Sequence, residues 1–174
     1  HAAIMKKLGE FWRGRVETAL DERAVPYDAR DAALEARVAL AGGGTSRRPG
    51  WIDPCDCLMR ARVLAEFRGD RRYQPLAVLF KRVGNILKAA TETLPAAVDP
   101  ARLVEPAERE LAESLSRARA ATEPLWDRRA YADILPALLE MEGPIHGFFE
   151  HVLVNAEDLA VRGNRLKLLA DVRD

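Results

Sequence analysis

Cysteine is nearly absent from this 174-residue chain, which has only Cys55 and Cys57. Two thiols this close together cannot form a secreted disulfide framework, so the composition points to a reducing, cytoplasmic compartment. Histidine is equally scarce. His146 and His151 stand five residues apart, on different faces of any helix, and no second Cys or His pair follows Cys55-x-Cys57 at ligand spacing, so no metal site is expected. No apolar run approaches the ~20 residues of a membrane span, and no signal-peptide pattern opens the chain; no membrane partner is expected. The chain has no GxxxxGK[ST] phosphate loop, no GxGxxG after a strand and no HExxH. Carboxylates such as Glu108 and Glu110 read as solvated helix-surface groups, and no nucleophile and base can be assembled into a catalytic set. Net charge is missing too, with 27 basic residues against 27 acidic ones. A nucleic-acid module usually carries a basic excess, so any RNA binding must come from a local patch. Of the 27 cations, 22 are Arg and 5 are Lys. Arg suits bidentate phosphate contact and stacking on bases, although a GC-rich genome produces the same bias.

What is present is helical periodicity, in a length that suits about one domain. The opening His-Ala-Ala-Ile lacks an initiator Met and already reads as helix, so the chain is taken as a segment of a longer polypeptide with a tag residue at His1. Leu8, Phe11, Trp12, Val16, Ala19 and Leu20 recur at three- and four-residue spacing and predict a first amphipathic helix ending near Arg23. Pro26 breaks it, and a shorter helix starting at Asp28 carries Leu34 and Val38. The glycine-rich run 42–50 is the clearest linker. Asp53-Pro54 predicts a helix start running to about Arg68. A longer helix over 73–90 has a strong stripe of Leu76, Leu79, Phe80, Val83, Ile86 and Leu87. A fifth helix runs through Leu111 and Leu115. After Pro124, Asp127 caps a sixth with Tyr131, Ile134 and Leu138. Gly143-Pro144 opens a seventh with Ile145, Phe148 and Phe149, and a last helix from near Glu157 carries Leu159, Leu166 and Leu169. Apart from the ambiguous His151-Val152-Leu153-Val154, no period-2 strand pattern appears. The expected fold is all-α, a bundle of seven to eight helices: a helical hairpin over 1–41, a linker over 42–52 and an α-helical domain over 53–174.

The helix over 73–90 carries the one chemically suggestive pattern. At 100° per residue, Lys81, Asn85 and Lys88 cluster opposite the apolar stripe, and Arg82 flanks it. Arg68, Arg71 and Arg72 lie just before, with Arg60 and Arg62 on the preceding helix. A positive ridge with Asn among it suits RNA phosphates and base edges; an ordinary solvated helix face has the same appearance. In the last helix, Arg162 falls on the Leu159/Leu166 stripe and is expected to pair with an acid. Asn164 and Arg165 point elsewhere and are read as free to touch a partner.

Two segments resemble a known family. Phe80-Lys81-Arg82-Val83-Gly84-Asn85-Ile86-Leu87-Lys88, following Asp53-Pro54 and Arg62-Val63-Leu64-Ala65-Glu66-Phe67, is similar to the anticodon-binding region of bacterial glycyl-tRNA synthetase β subunits. So is the run from Phe148-Phe149-Glu150-His151 through Asn155-Ala156-Glu157-Asp158 into Arg162-Gly163-Asn164-Arg165-Leu166-Lys167. The family's helical domain is the DALR type shared with arginyl-tRNA synthetase, and its signature reads here, in degenerate form, Asp158-Leu159-Ala160-Val161-Arg162. The stretch from Leu8 to Leu34 is similar to the helices that join the family's HD-like domain to its anticodon domain. No His-Asp dipeptide occurs, so the HD-like domain is expected to be absent or to end upstream of this segment.

The resemblance implies an anticodon-binding module, preceded by a helical hairpin, within a two-subunit glycine–tRNA ligase. The implied partners are tRNA(Gly), the glycyl-tRNA synthetase α subunit and the remainder of the β subunit. It implies no catalytic residue and no cofactor in this segment, with ATP and Mg at the partner catalytic subunit. The residues it points to for RNA contact are Lys81, Arg82, Asn85 and Lys88, with Asn164 and Arg165 beside them. The competing reading is a structural or protein-interaction bundle that packs against another subunit without touching RNA, which zero net charge favours.

Overall fold

Helical periodicity becomes eight α-helices in the computed structural model, which describes residues 2–39 and 47–173: α1 (Ala2–Asp21), α2 (Tyr27–Glu35), α3 (Pro54–Phe67), α4 (Tyr73–Ala89), α5 (Pro106–Asp127), α6 (Tyr131–Leu139), α7 (Glu142–His151) and α8 (Leu159–Arg173). The expected all-α fold is what forms. His1 and residues 42–46 of the expected linker lie outside the described residues. Val38, assigned by periodicity to the second helix, stands instead in a small antiparallel ribbon of β1 (Arg37–Ala39) and β2 (Arg47–Pro49), opposite Arg48. The segment 151–154 forms no strand; it is the end of α7 and the loop after it.

The chain divides into two units, His1–Asp70 with Asp127–Ala132, and Arg71–Trp126 with Asp133–Asp174. In the first, α2 packs on α1 and α3 around Val16, Leu20, Ala33, Leu34, Cys57 and Ala61, with Val25, Trp51 and Leu58 against them. Asp53 caps α3 by accepting the Asp56 N–H at 3.1 Å, with Pro54 at the first helical position, a cap that contributes about 1 kcal/mol. Arg60 is buried and gathers three acceptors: Asp56 Oδ2 at 3.1 Å, the Ala33 carbonyl at 3.0 Å and the Gly50 carbonyl at 2.7 Å. Gly50 is required there, because a Cβ would stand 2.2 Å from the Ala33 carbonyl oxygen. Tyr131 donates its hydroxyl to Asp56 Oδ1, and Arg129, whose φ of 56° is left-handed, reaches Asp53 Oδ2 at 2.8 Å. Only the C-terminal half of the α1 stripe is buried. Val16 and Leu20 are in the core, whereas Leu8, Phe11 and Trp12 are exposed, together with Ile4 and Met5.

In the second unit α4 packs on α7 and α8. Leu76, Leu79 and Val83 of α4 meet a core that includes Leu111, Ile134, Ile145, Phe148, Leu166 and Leu169. Two helix boundaries differ from the periodicity reading. Pro124 does not end α5; it sits inside its last turn, and Asp127 closes α5 rather than capping α6. The last helix begins at Leu159 because Asp158 is its cap, accepting the Ala160 N–H at 2.7 Å and the Val161 N–H at 3.1 Å. Those two bonds hold the Asp158 carboxyl below the usual carboxylate range.

Candidate nucleic-acid interface

The α4 helix has three cations, Lys81, Arg82 and Lys88, and no acid along its length. Its buried stripe fixes the opposite face outward, so Lys81, Arg82, Asn85 and Lys88 are all exposed on one helix. None of these cations makes an ion pair among the described residues. Much of the other positive charge is neutralised internally. Arg60 pairs with Asp56, Arg68 with Asp28 at 2.7 Å, Arg102 with Asp99 at 3.0 Å, and Arg30 meets Glu17, Asp21 and Asp31. Arg60, counted in the sequence among the ridge's neighbours, is therefore a core residue. Overall neutrality is compatible with a local excess, because α4 itself has three cations and no acid.

Arg82 lies over the Phe149 ring, its guanidinium carbon 4.1 Å from the ring centroid. Such a cation–π contact at an exposed site contributes about 0.5–1 kcal/mol and fixes the direction of a long side chain. Phe149 is in turn held edge-to-face by the buried Phe148, with centroids 5.6 Å apart at 74°. Together Arg82, Ile86 and Phe149 wall a cleft of about 490 Å³ whose other side is residues 150–155. A second recess of about 150 Å³ shares Ile86 and Asn155 with it and reaches Arg162 and Leu166. Sequence reasoning put Phe149 in the α7 core stripe; its half-burial and the cleft beside it were missed.

Asn164 and Arg165 are not free to touch a partner, which corrects the reading of the last helix. Asn164 is 1% exposed and brackets Asp99, accepting its N–H at 2.7 Å and donating to its carbonyl at 3.0 Å. Arg165 is buried and donates to Glu108 Oε1 at 2.5 Å and to the Leu153 carbonyl at 2.8 Å. Glu108, read as a solvated surface acid, is fully buried; its second oxygen accepts the Glu105 N–H at 2.6 Å, the reciprocal half of a capping box at the start of α5. The physical reason is that α8 is buried around most of its circumference: Leu166, Leu168, Leu169, Ala170 and Val172 are all in the core, while Leu159, counted in the stripe, is 73% exposed. Arg162 pairs with an acid as expected, Glu92 at 2.5 Å, in the loop after α4. Among the described residues no three His, Cys, Asp or Glu gather as metal ligands, and no helix is long and apolar enough to cross a membrane.

Residues 77–174, from α4 to the end of α8, match the family model of the DALR anticodon binding domain, and the chain belongs to that family. Beyond the domain, almost the whole chain is similar to glycine–tRNA ligase β subunits. That of Leptothrix cholodnii is 36% identical over 163 residues, covering 94% of this chain and 21% of that protein. That of Shewanella pealeana is 33% identical over 174 residues, covering 100% of this chain and 23% of that protein. The Geobacter metallireducens protein is 36% identical over 163 residues, covering 94% and 21%. The chain thus spans less than a quarter of the length of these curated relatives.

Proposed function

We propose that the chain is the tRNA-binding module of a glycine–tRNA ligase β subunit, and that it grips the anticodon stem and loop of tRNA(Gly) through the exposed α4 face. The observation that carries this reading is the unpaired set Lys81, Arg82, Asn85 and Lys88, on an acid-free helix inside the matched DALR region. The cations contact backbone phosphates, and Asn85 supplies a hydrogen-bonding amide among them. Asn164 and Arg165 enter as residues that fix Asp99 and Leu153, not as RNA contacts. Recognition at the far end of the tRNA adds binding energy that positions the acceptor end, and the charging of tRNA with glycine at the expense of ATP falls to the α subunit. The partners are then the tRNA, the α subunit and the rest of the β subunit, in the cytoplasm.

A second reading, a protein-packing role without RNA contact, is favoured by one observation: Ile4, Met5, Leu8, Phe11 and Trp12 form an exposed apolar stripe on α1. That stripe belongs to the first unit, whereas the α4 cations of the first reading belong to the second. Titration of a glycine tRNA transcript separates the two. On the first reading the chain binds with an affinity that falls as salt rises, Lys81→Ala with Asn85→Ala weakens binding while the helical circular dichroism is unchanged, and anticodon substitutions alter affinity. Retention of a protein partner without any tRNA, or indifference to an accessible anticodon loop's sequence, overturns it.

A further inference from the structure

The Arg82–Phe149 pair suits more than phosphate contact. Lys81 and Lys88 are exposed on α4, whereas Arg82 is laid on an aromatic ring at 4.1 Å, at the edge of a cleft of about 490 Å³. That volume falls within the roughly 300–1,000 Å³ of small-ligand sites. The opposite wall is a short non-helical segment rich in unused hydrogen-bonding groups. The N–H groups of Leu153, Val154 and Asn155 donate to nothing among the described residues, and the Asn155 amide is likewise unengaged. His151, whose Nδ1 donates to the Gly147 carbonyl at 2.9 Å, also lines the cleft. Glu150, 3.1 Å from His146 Nε2, adds a carboxylate to the rim. Behind this wall, the recess shared through Ile86 and Asn155 reaches Arg162, whose buried Nε has no hydrogen-bond partner. A planar cation, an aromatic ring and an edge of unsatisfied donors and acceptors together define a ligand that is flat, apolar on its faces and polar around its rim.

We propose that this cleft is a clamp for one unpaired nucleobase, which stacks on the Arg82 guanidinium backed by Phe149 and offers its polar edge to the 150–155 segment. This rests on the reading of the chain as an anticodon-binding module and deepens it: the α4 lysines hold the backbone, and the cleft takes a splayed-out base. Arg165 bonds the Leu153 carbonyl in the middle of that segment.

The test uses the full chain and a short RNA hairpin carrying a fluorescent adenine analogue at each unpaired loop position in turn. Binding should quench the analogue strongly at one position. Stacking of one base corresponds to roughly 5- to 150-fold in affinity, so Phe149→Leu should weaken binding within that range and abolish the quench. Arg82→Lys is the sharper variant, since it keeps the charge at an exposed site and removes the stacking plane; it too should abolish the quench, with circular dichroism unchanged. Lys88→Ala should leave the quench intact and lower the slope of log affinity against log salt by about 0.7. If Arg82→Lys and Phe149→Leu both retain the quench while Lys88→Ala weakens binding, the arm is held by phosphates alone; the clamp is refuted and the anticodon-arm reading stands. If the unsubstituted chain binds no hairpin even at low salt, both fall.

Discussion

Replacing Glu108 by Gln removes the charge of the buried Glu108–Arg165 pair together with one of the two acceptor oxygens that the carboxylate uses. The single amide oxygen of Gln can still accept the Glu105 N–H and keep the capping box, but its NH2 then faces the Arg165 N–H, donor against donor. What disappears is the counter-charge to a guanidinium whose side chain is 8% exposed, facing a carboxylate that is 0% exposed. Breaking a buried pair from one side costs about 3–5 kcal/mol, because the remaining ion is left without compensation. For a chain of this length each kcal/mol shifts Tm by roughly 2–4 °C, so Glu108→Gln should lower Tm by about 6–20 °C. Arg165→Met should cost a similar amount, since it strands the carboxylate instead. It also releases the Leu153 carbonyl, which water can satisfy because Leu153 is 74% exposed. The double variant strands neither charge and should recover most of the loss, as apolar replacements of buried pairs commonly do. Thermal unfolding followed by circular dichroism on the four proteins of this cycle measures the coupling. Losses that simply add in the double variant, within about 0.5 kcal/mol, would refute the argument that the two groups neutralise one another in the core.

Two further outcomes follow from the first unit and the start of α8. Cys57 is 0% exposed and burial pushes its thiol upward, whereas Cys55 is exposed, so a thiol-reactive disulfide reagent should titrate one group in the native chain and the second only in denaturant; equal rates would contradict the packing around α3. Asp53 and Asp158 are both held below the ordinary carboxylate range, first by backbone N–H groups, from Asp56 for the one and from Val161 for the other. The folded chain therefore binds fewer protons at these sites than the unfolded chain. Their stabilisation is complete above the ordinary carboxylate pKa and is lost as pH falls through the lower, folded values. Urea midpoints followed from neutral pH into the acid range should fall less steeply for Asp158→Asn, which keeps an acceptor and cannot titrate; an unchanged acid limb would remove Asp158 as a source of it.

The elements that local chemistry specifies were legible in the sequence. Asp53-Pro54 starts α3 because capping is settled within four residues, and α4 was bounded closely because its stripe is deep and its opposite face carries Lys81, Asn85 and Lys88. Reading failed where burial comes from several neighbours at once. A two-sided picture of α8 put Leu159 inside and Arg165 outside, whereas a helix surrounded by its unit buries even its Asn and Arg, provided each finds a fixed partner. Glu108 is 57 residues from Arg165 along the chain, and no spacing rule joins them. A signal did exist, since Glu105-Pro106-x-Glu108 has the acid where a capping box wants it, and a capping carboxylate tends to be an engaged one.

Adjacent aromatics gave a second signal of that kind. Phe148 and Phe149 stand 100° apart on α7, so when the first fills the core the second is turned toward its rim, where a planar group can reach it. Net charge misled for a related reason. Zero is a sum over the chain, but an incoming polyanion meets only charge that is not already spent. Some of the acids in that total are already held by Arg30, Arg60, Arg68, Arg102 and Arg165. Lys81, Arg82 and Lys88 stand in no ion pair among the described residues, and a helix with three cations and no acid presents a positive local field to a phosphate backbone even in a chain whose total charge is zero.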